Sequence, residues 1–373
     1  MFKNTFSLVS HTPVIHFEKL SKLALRPTEL KSKFDKFLIF NNYVSEDKIH
    51  KDTQNRKYLK YKVKIKNIKI SSKEDIQKND RFIPFYFGNM GDDYQSGDKK
   101  LVFFDNIDIE FFSFDTELLE VINNRFEEFI AITNFGTRQN KGYGSFYIKD
   151  KQYKNFINGY KFHIAINDYK KAMSQVETFY KFLRSGINLP RPSKPFYTKP
   201  VIWKYFNEKG IVWEKKAIKR RCLNDKLNEQ KNKHNNSDIL VSEGAEKIVR
   251  DLLGLSTSQS WRSYGINVIK EGEIKRFKSP IMFKFIKNGD GYDVYFWNEK
   301  RNEEKLKDFC GKTFRINAGR CNFELDVADF DLDHFLNWLY NGKKTILSKL
   351  SDDVEAKEYK IIDEILNNLK KVN

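Results

Sequence analysis

At 373 residues the chain has room for two domains of ordinary size, and its 40% hydrophobic and 32% charged residues describe a globular protein. No apolar run approaches the roughly 18 residues of a membrane span, and three cysteines are too few for a disulfide framework. Lysine and arginine total 68 against 50 acids, a formal charge of +18, so the expected partner is a polyanion, with nucleic acid foremost. The first residues lack the basic flank and apolar stretch of a secretory signal, and a reducing, cytoplasmic setting away from membranes is expected.

The chain opens on a strand, Phe6 to Phe17, interrupted by Pro13, which implies a bulge or an edge. Pro27 suits a helix start, and Leu30, Phe34, Phe37 and Leu38 follow at helical spacing, with Lys31, Ser32, Asp35 and Lys36 on the outer face, where Asp35 is solvated or pairs with Lys31. From Tyr58 to Ile70 lysines alternate with apolar residues, the pattern of a half-buried strand with a basic outer face. Gly88 to Gly97 reads as a loop tip, and Leu101 to Phe114 returns as a strand. Asp115 can cap a helix with a stripe of Leu118, Ile122, Phe126, Phe129 and Ile130, which Gly136 can terminate. Tyr143 to Ile148 is the last strand of the unit. The order β-α-β-β-α-β predicts an α+β fold whose N-terminal domain is ferredoxin-like, or RRM-like.

In the second half, Lys161 to Ile166 reads as a strand, and Tyr169, Met173, Val176, Tyr180 and Leu183 mark a helix ended by Gly186. Leu189 to Pro200 holds four prolines and reads as an extended boundary or surface loop. Lys215 to Asn236 has the composition of a mobile basic loop, and Ser242 can cap a helix through Leu253. Lys278 to Trp297 reads as a hairpin with its tip at Asn288 to Gly291. Helices follow at about Leu332 to Tyr340 and Asp353 to Leu369. The expected domains are 1–155, 156–345 as a second, decorated α+β domain of the same ferredoxin-like kind, and a C-terminal helix over 346–373.

The most specific stretch is Phe135 to Phe146, FGTRQNKGYGSF. Gly136, Gly142 and Gly144 permit positive φ around Thr137, Arg138, Gln139, Asn140, Lys141 and Tyr143. Successive N–H groups can then face phosphates while the basic side chains neutralise them. The order helix, glycines, strand fits neither a Rossmann loop nor a P-loop, so no nucleotide cofactor is expected. At the first helix, Arg26, Thr28 and Lys31 form an anion site if the initial N–H groups lack a side-chain cap; alternatively Thr28 caps the helix and Arg26 is solvated. Tyr143, Trp203 and Trp213 are candidates for stacking on bases.

This loop, with its pattern G-x-R-x-x-x-G-x-G-S, resembles the hallmark loop of the CRISPR-associated RAMP superfamily. The opening agrees: HTPVIHF, His11 to Phe17, and LRPTELKSKFDKFL, Leu25 to Leu38, resemble the first strand and first helix of the Cmr-type subunit of type III-B effector complexes. SPIMFKFI, Ser279 to Ile286, echoes a strand of that subunit's second domain. In this chain His16, Phe17 and Glu18 stand where the family has glycines. The resemblance implies a non-catalytic subunit that holds guide RNA and target RNA beside other RAMP subunits.

Two other readings compete. A CRISPR repeat-processing endoribonuclease would use a histidine with the glycine-rich loop, but His11 and His16 lie five residues apart on one strand and hence on opposite faces. RAMP subunits that cut target RNA carry an aspartate between first strand and first helix, and Glu18 to Arg26 has none. A non-CRISPR RRM-like protein would share only the topology. Cys222, His234, Cys310 and Cys321 lack metal-ligand spacing, so no metal is expected.

Overall fold

The protein is described by a computed structural model covering residues 2–17, 25–76, 83–84, 99–189, 196–223, 244–261, 264–348, 350 and 355–373. It is mixed α+β and divides into two compact units. The first comprises Met1–Ser174, Met282–Trp297 and Lys371–Asn373; the second comprises Gln175–Ile281 and Asn298–Lys370. No described helix is long and apolar enough to cross a membrane.

Pro13 divides the opening strand as expected, into β1 (Phe2–Ser10) and β2 (Val14–Phe17). Helix α1 (Pro27–Phe40) starts at its proline and buries Leu30, Phe34, Phe37 and Leu38. A short hairpin of β3 (Ile49–Lys51) and β4 (Lys57–Leu59) precedes β5 (Lys62–Asp75), so the lysine-rich stretch bends at Lys60 before it runs as one strand. Strand β6 (Lys99–Ser113) returns antiparallel to β5, and the Gly88 to Gly97 tip lies outside the described residues. Helix α2 (Thr116–Ile132) is capped by Asp115, whose carboxylate accepts from the Leu118 N–H at 2.9 Å. It ends at Ile132 rather than at Gly136, because Thr133 is already extended.

The last strand, β7 (Phe146–Ile148), is shorter than the expected Tyr143 to Ile148 because Tyr143 and Gly144 lie in a turn and Ser145 forms an isolated bridge with Asn134. β6 is central. It takes β1 and β2 along one side and β5 along the other, while β7 adds to β1, and every pairing is antiparallel. Helices α1 and α2 cover one face. Phe34 is the hub, with ring centroids 5.7 Å from Phe111, 5.5 Å from Phe126 and 4.8 Å from Phe129. Each such phenylalanine, fully removed from water, contributes roughly 1.5–3 kcal/mol. Asp35 pairs with the Lys31 ammonium at 2.6 Å, as one reading of the sequence expected, but is buried rather than solvated and also receives the Leu59 N–H at 3.4 Å.

The chain continues with β8 (Gly159–Ile164) and α3 (Tyr169–Arg184), which Gly186 follows at φ +71°. The proline-rich stretch is flanked by β9 (Ile187–Leu189) and β10 (Phe196–Thr198), which pair; residues 190–195 lie outside the described set. Helix α4 (Val201–Glu208), β11 (Val212–Trp213) and α5 (Glu214–Cys222) follow. Lys215 to Cys222 is therefore helical rather than a basic loop, because Ala217 and Ile218 bury one face; 224–243 are outside the described residues. The helix expected from Ser242 is replaced over its described part by β12 (Glu246–Lys247) and a 3-10 turn, Arg250–Leu253. Next come β13 (Ser258–Trp261) and β14 (Ile266–Glu271).

The expected hairpin is present as β15 (Ile281–Asn288) and β16 (Gly291–Asn298). After helix α6 (Glu303–Phe309), strands β17 (Thr313–Ala318) and β18 (Cys321–Asp326) complete a sheet of order β13-β14-β17-β18. Helices α7 (Leu332–Ser348) and α8 (Lys357–Asn367) and strand β19 (Lys370–Val372) end the chain, and a second sheet has the order β15-β16-β8-β19. Cys222 and Cys321 are joined by a disulfide with Cα atoms 5.4 Å apart. Spacing gave no sign of this pair, because 99 residues separate its members. Lys270 and Asp251 form an ion pair with both side chains out of solvent.

Candidate nucleic-acid interface

The glycine-rich loop joins α2 to β7, and all three glycines take positive φ: +78° at Gly136, +89° at Gly142 and +68° at Gly144. Close packing demands them as much as the backbone does. A Cβ on Gly142 would lie 2.3 Å from the Phe285 ring, and one on Gly144 would lie 1.9 Å from the Phe135 carbonyl oxygen. Arg138 also adopts φ +60°, an uncommon conformation for a residue with a Cβ.

Several of the loop's N–H groups are engaged by the loop itself or by its neighbours. Gly136 N–H donates to the Glu29 carboxylate at 3.1 Å, Lys141 to the Arg138 carbonyl at 2.9 Å and Gly142 to the Gln139 carbonyl at 3.1 Å. Gly144 N–H reaches the Pro13 carbonyl at 2.8 Å, and Ser145 N–H reaches the Thr12 hydroxyl at 2.9 Å. Thr12, fully buried, passes its own proton to the Gly142 carbonyl at 2.6 Å. The break between β1 and β2 is thus what receives the loop.

Strand β15 holds the loop from another direction. The Phe283 N–H donates to the Asn140 carbonyl at 3.1 Å, Asn134 Nδ2 donates to the carbonyls of Gln139 and Phe283 at 2.7 Å each, and the Ser145 hydroxyl donates to the Phe285 carbonyl at 2.7 Å. Between these contacts lies Lys284, completely buried, with its Nζ donating to the carbonyls of Ile130 and Thr133 at 2.8 Å and Phe146 at 2.9 Å. Burial, reinforced by the Lys33 ammonium, holds Lys284 well below the usual lysine range. The Lys284 Nζ thus serves the Ile130 and Thr133 carbonyls at the C-terminal end of α2 and the Phe146 carbonyl of β7.

Helix α1 supplies the third wall. Lys33 Nζ bridges Glu29 at 2.8 Å, the Asn134 carbonyl at 2.9 Å and Gln139 Oε1 at 2.8 Å, over the Phe135 ring. Burial alone would raise the Glu29 carboxyl, but Lys33 and the Gly136 N–H bring it below the ordinary range. The N-cap of α1 is Arg26, with no side-chain cap, so Thr28 does not cap the helix; Arg26 and Thr28 are both exposed. Lys31 is engaged by Asp35, by the Leu59 carbonyl at 2.9 Å and by the Tyr61 ring, 4.1 Å from its centroid.

The structure therefore brings the α1 start and the loop together through Glu29, yet leaves them unequally accessible. Gly136, Thr137, Arg138, Gln139, Asn140 and Lys141 are partly exposed, whereas Gly142, Tyr143 and Gly144 are buried. Tyr143 donates its hydroxyl to the Pro84 carbonyl at 2.7 Å and cannot stack on a base from that position. Trp203 and Trp213 are buried, with ring centroids 6.0 Å apart, which withdraws them as stacking platforms too.

His11 lies in the β1–β2 break rather than on a continuous strand, and its Nδ1 accepts the Lys287 N–H at 2.6 Å. Burial, with Lys284 and Lys287 nearby, pushes its pKa down to about 3. His16 is buried in β2. Sequence reasoning missed Thr12, Glu29, Lys33, Asn134 and Lys284. Only Lys284 carried a signal, as a single lysine in the apolar run IMFKFI.

Comparison with known proteins agrees with the opening and loop motifs. The structure is similar to the crystal structure of Cmr1 from Pyrococcus furiosus in its apo form, with a TM-score of 0.37 and 11% identity over 80% of this chain and 89% of that one. No curated protein matches the chain. Residues 1–187 match the Cmr1 N-terminal domain family and residues 197–371 the Cmr1 C-terminal domain family, and with both halves covered the chain belongs to the Cmr1 family.

Proposed function

We propose that this chain is a non-catalytic RNA-holding subunit of a type III-B CRISPR ribonucleoprotein, gripping guide RNA and target RNA through their phosphates beside other RAMP subunits. The observation that carries the reading is the match of both halves to Cmr1 domains. The surplus of 18 positive charges fits a phosphate-dominated interface. The strand order β5-β6-β1-β7, antiparallel throughout and backed by α1 and α2, supports a ferredoxin-like first unit.

Within that unit the proposed contact is the uncapped start of α1, where Arg26 and Thr28 are exposed, together with Thr137, Arg138 and the other partly exposed residues of the loop. Lys31, Lys33 and the buried glycines shape this surface from beneath. The absence of catalysis is supported by His11. A neutral imidazole whose Nδ1 already accepts a backbone N–H is poorly placed to act as a general base at neutral pH.

Affinity capture of the protein from its native host, with RNA sequencing and mass spectrometry, tests the proposal. CRISPR-repeat-derived RNA and further Cmr subunits are the expected companions, and recovery of neither overturns it. Incubation of the purified protein with labelled repeat RNA, with and without magnesium, is expected to leave the RNA intact. Cleavage lost on His11→Ala would reverse the non-catalytic assignment.

A further inference from the structure

The face of the first sheet turned away from α1 and α2 carries a row of side chains that the glycine-rich loop does not use. Lys62, Lys64 and Lys66 of β5 stand opposite Phe112, Glu110 and Asp108 of β6, which in turn stand opposite Lys3, Thr5 and Ser7 of β1. Their intervening neighbours Val63 and Ile65 pack against the core, so the lysines share the solvent side. Two acids temper the row. Glu110 takes Lys66 at 2.7 Å and Lys3 at 3.4 Å; Asp108 accepts from Ser7 at 2.7 Å, Asn67 at 2.7 Å and Asn106 at 2.9 Å.

Lys60, Lys62 and Lys64 are exposed and form no ion pair with a described residue, although Lys64 lies directly across from Glu110. Aromatic rings adjoin them. Phe112 is half-buried between Lys62 and Lys3, and Phe114, which follows β6, is 84% exposed. The Ser113 hydroxyl donates to the Lys60 carbonyl at 3.2 Å, which places Phe114 beside the start of the row.

Cations repeating every second residue of a strand are about 6.7 Å apart, a spacing that tracks an extended phosphodiester chain. An apolar ring left in water next to them is a platform for a base. A protein partner with an acidic segment would satisfy the lysines but has no use for an isolated ring flanked by charge. We infer that this open sheet face binds single-stranded RNA, with Lys60, Lys62 and Lys64 on phosphates and Phe114 stacked on a base. The site is separate from the α1 start and the loop, and the inference rests on the proposed RNA-holding role.

Fluorescence anisotropy of the full chain with labelled single-stranded RNA over a salt series tests it. Replacing Lys60, Lys62 and Lys64 together by Gln should weaken binding at least tenfold and reduce the slope of log K against log salt by about 2, since each lost single-strand phosphate contact removes about 0.7. Phe114→Ala should weaken binding about tenfold with the slope unchanged, because stacking releases no counterions. Wild-type affinity and slope in the folded triple variant would overturn the inference. So would a response to the lysines alone with poly-glutamate competing as well as RNA, which would assign the face to an acidic protein. If Arg26→Ala with Arg138→Ala abolishes binding while the sheet variants do not, the proposed interface stands and this second one falls. A wild-type chain that binds no RNA at any salt removes both.

Discussion

Around the glycine-rich loop Lys33, Lys284 and several N–H groups are engaged by carbonyls and carboxylates, whereas along β5 Lys62 and Lys64 are exposed and form no ion pair with a described residue. Both regions are rich in the residue types of a polyanion site, so composition alone does not separate them. What separates them is the number of neighbouring elements. The loop is enclosed by the β1–β2 break, by α1 and by β15, and each wall brings carbonyls or carboxylates that require donors. Strand β5 has β6 on one side, the core beneath and water above. A lysine is a structural cross-link where unpaired acceptors surround it and a binding group where they do not.

The contrast breaks if the loop tolerates change. Gly144→Ala should be the most damaging substitution, since its Cβ would meet the Phe135 carbonyl at 1.9 Å in a backbone already at φ +68°. A loss of about 3 kcal/mol or more is expected, visible as little soluble protein or a collapsed urea midpoint. Lys284→Met should come next, removing a buried donor from three carbonyls at a cost of about 3 kcal/mol in urea unfolding. An unchanged midpoint there would mean that waters can replace the ammonium.

Thr12→Val removes the donor to the Gly142 carbonyl and the acceptor for the Ser145 N–H, for an expected loss of about 1–3 kcal/mol by the same measurement. His11 sharpens the comparison by pH. The folded protein keeps it neutral down to about 3 while the unfolded chain takes up a proton below the ordinary value of 6.5, so stability falls as pH drops through that interval. Its share is at most about 1.4 kcal/mol per pH unit; between pH 6.5 and 5.5, His11→Gln should flatten the decline. The smallest effect belongs to the other region: Lys64→Gln should leave the midpoint within about 0.5 kcal/mol of wild type.

Local pattern was legible wherever one element decides its own burial. Pro27 with Leu30, Phe34, Phe37 and Leu38 located α1, and Asp115 located α2. The hairpin of β15 and β16 was legible from its Asn288 to Gly291 tip. The loop's glycines were found for the right backbone reason, since all three have positive φ. Their surroundings were not legible, because the groups that occupy the loop come from residues more than 100 positions away: Thr12 lies 130 residues from Gly142, and Phe283 lies 149 from Asn134. Asp35 was misplaced for a related reason: helical period puts it on the outer face, but Leu59 and Lys31 cover it. The disulfide from Cys222 to Cys321 is another long-range pairing that no spacing rule reaches.

Because β15 emerges from the ribosome long after the loop it secures, the order of synthesis matters. Until Phe283 to Phe285 are made, the Asn134 amide, the Ser145 hydroxyl and the carbonyls of Ile130, Thr133 and Phe146 lack the partners they have in the finished protein. Contacts of such high sequence separation form slowly, since a long intervening chain must be closed before they contribute. The nascent N-terminal sheet can assemble from its own strands, but its signature loop reaches its final form only after most of the protein has been translated. A fragment ending before β15 should accordingly show native-like helix and strand content with rapid amide exchange at the loop.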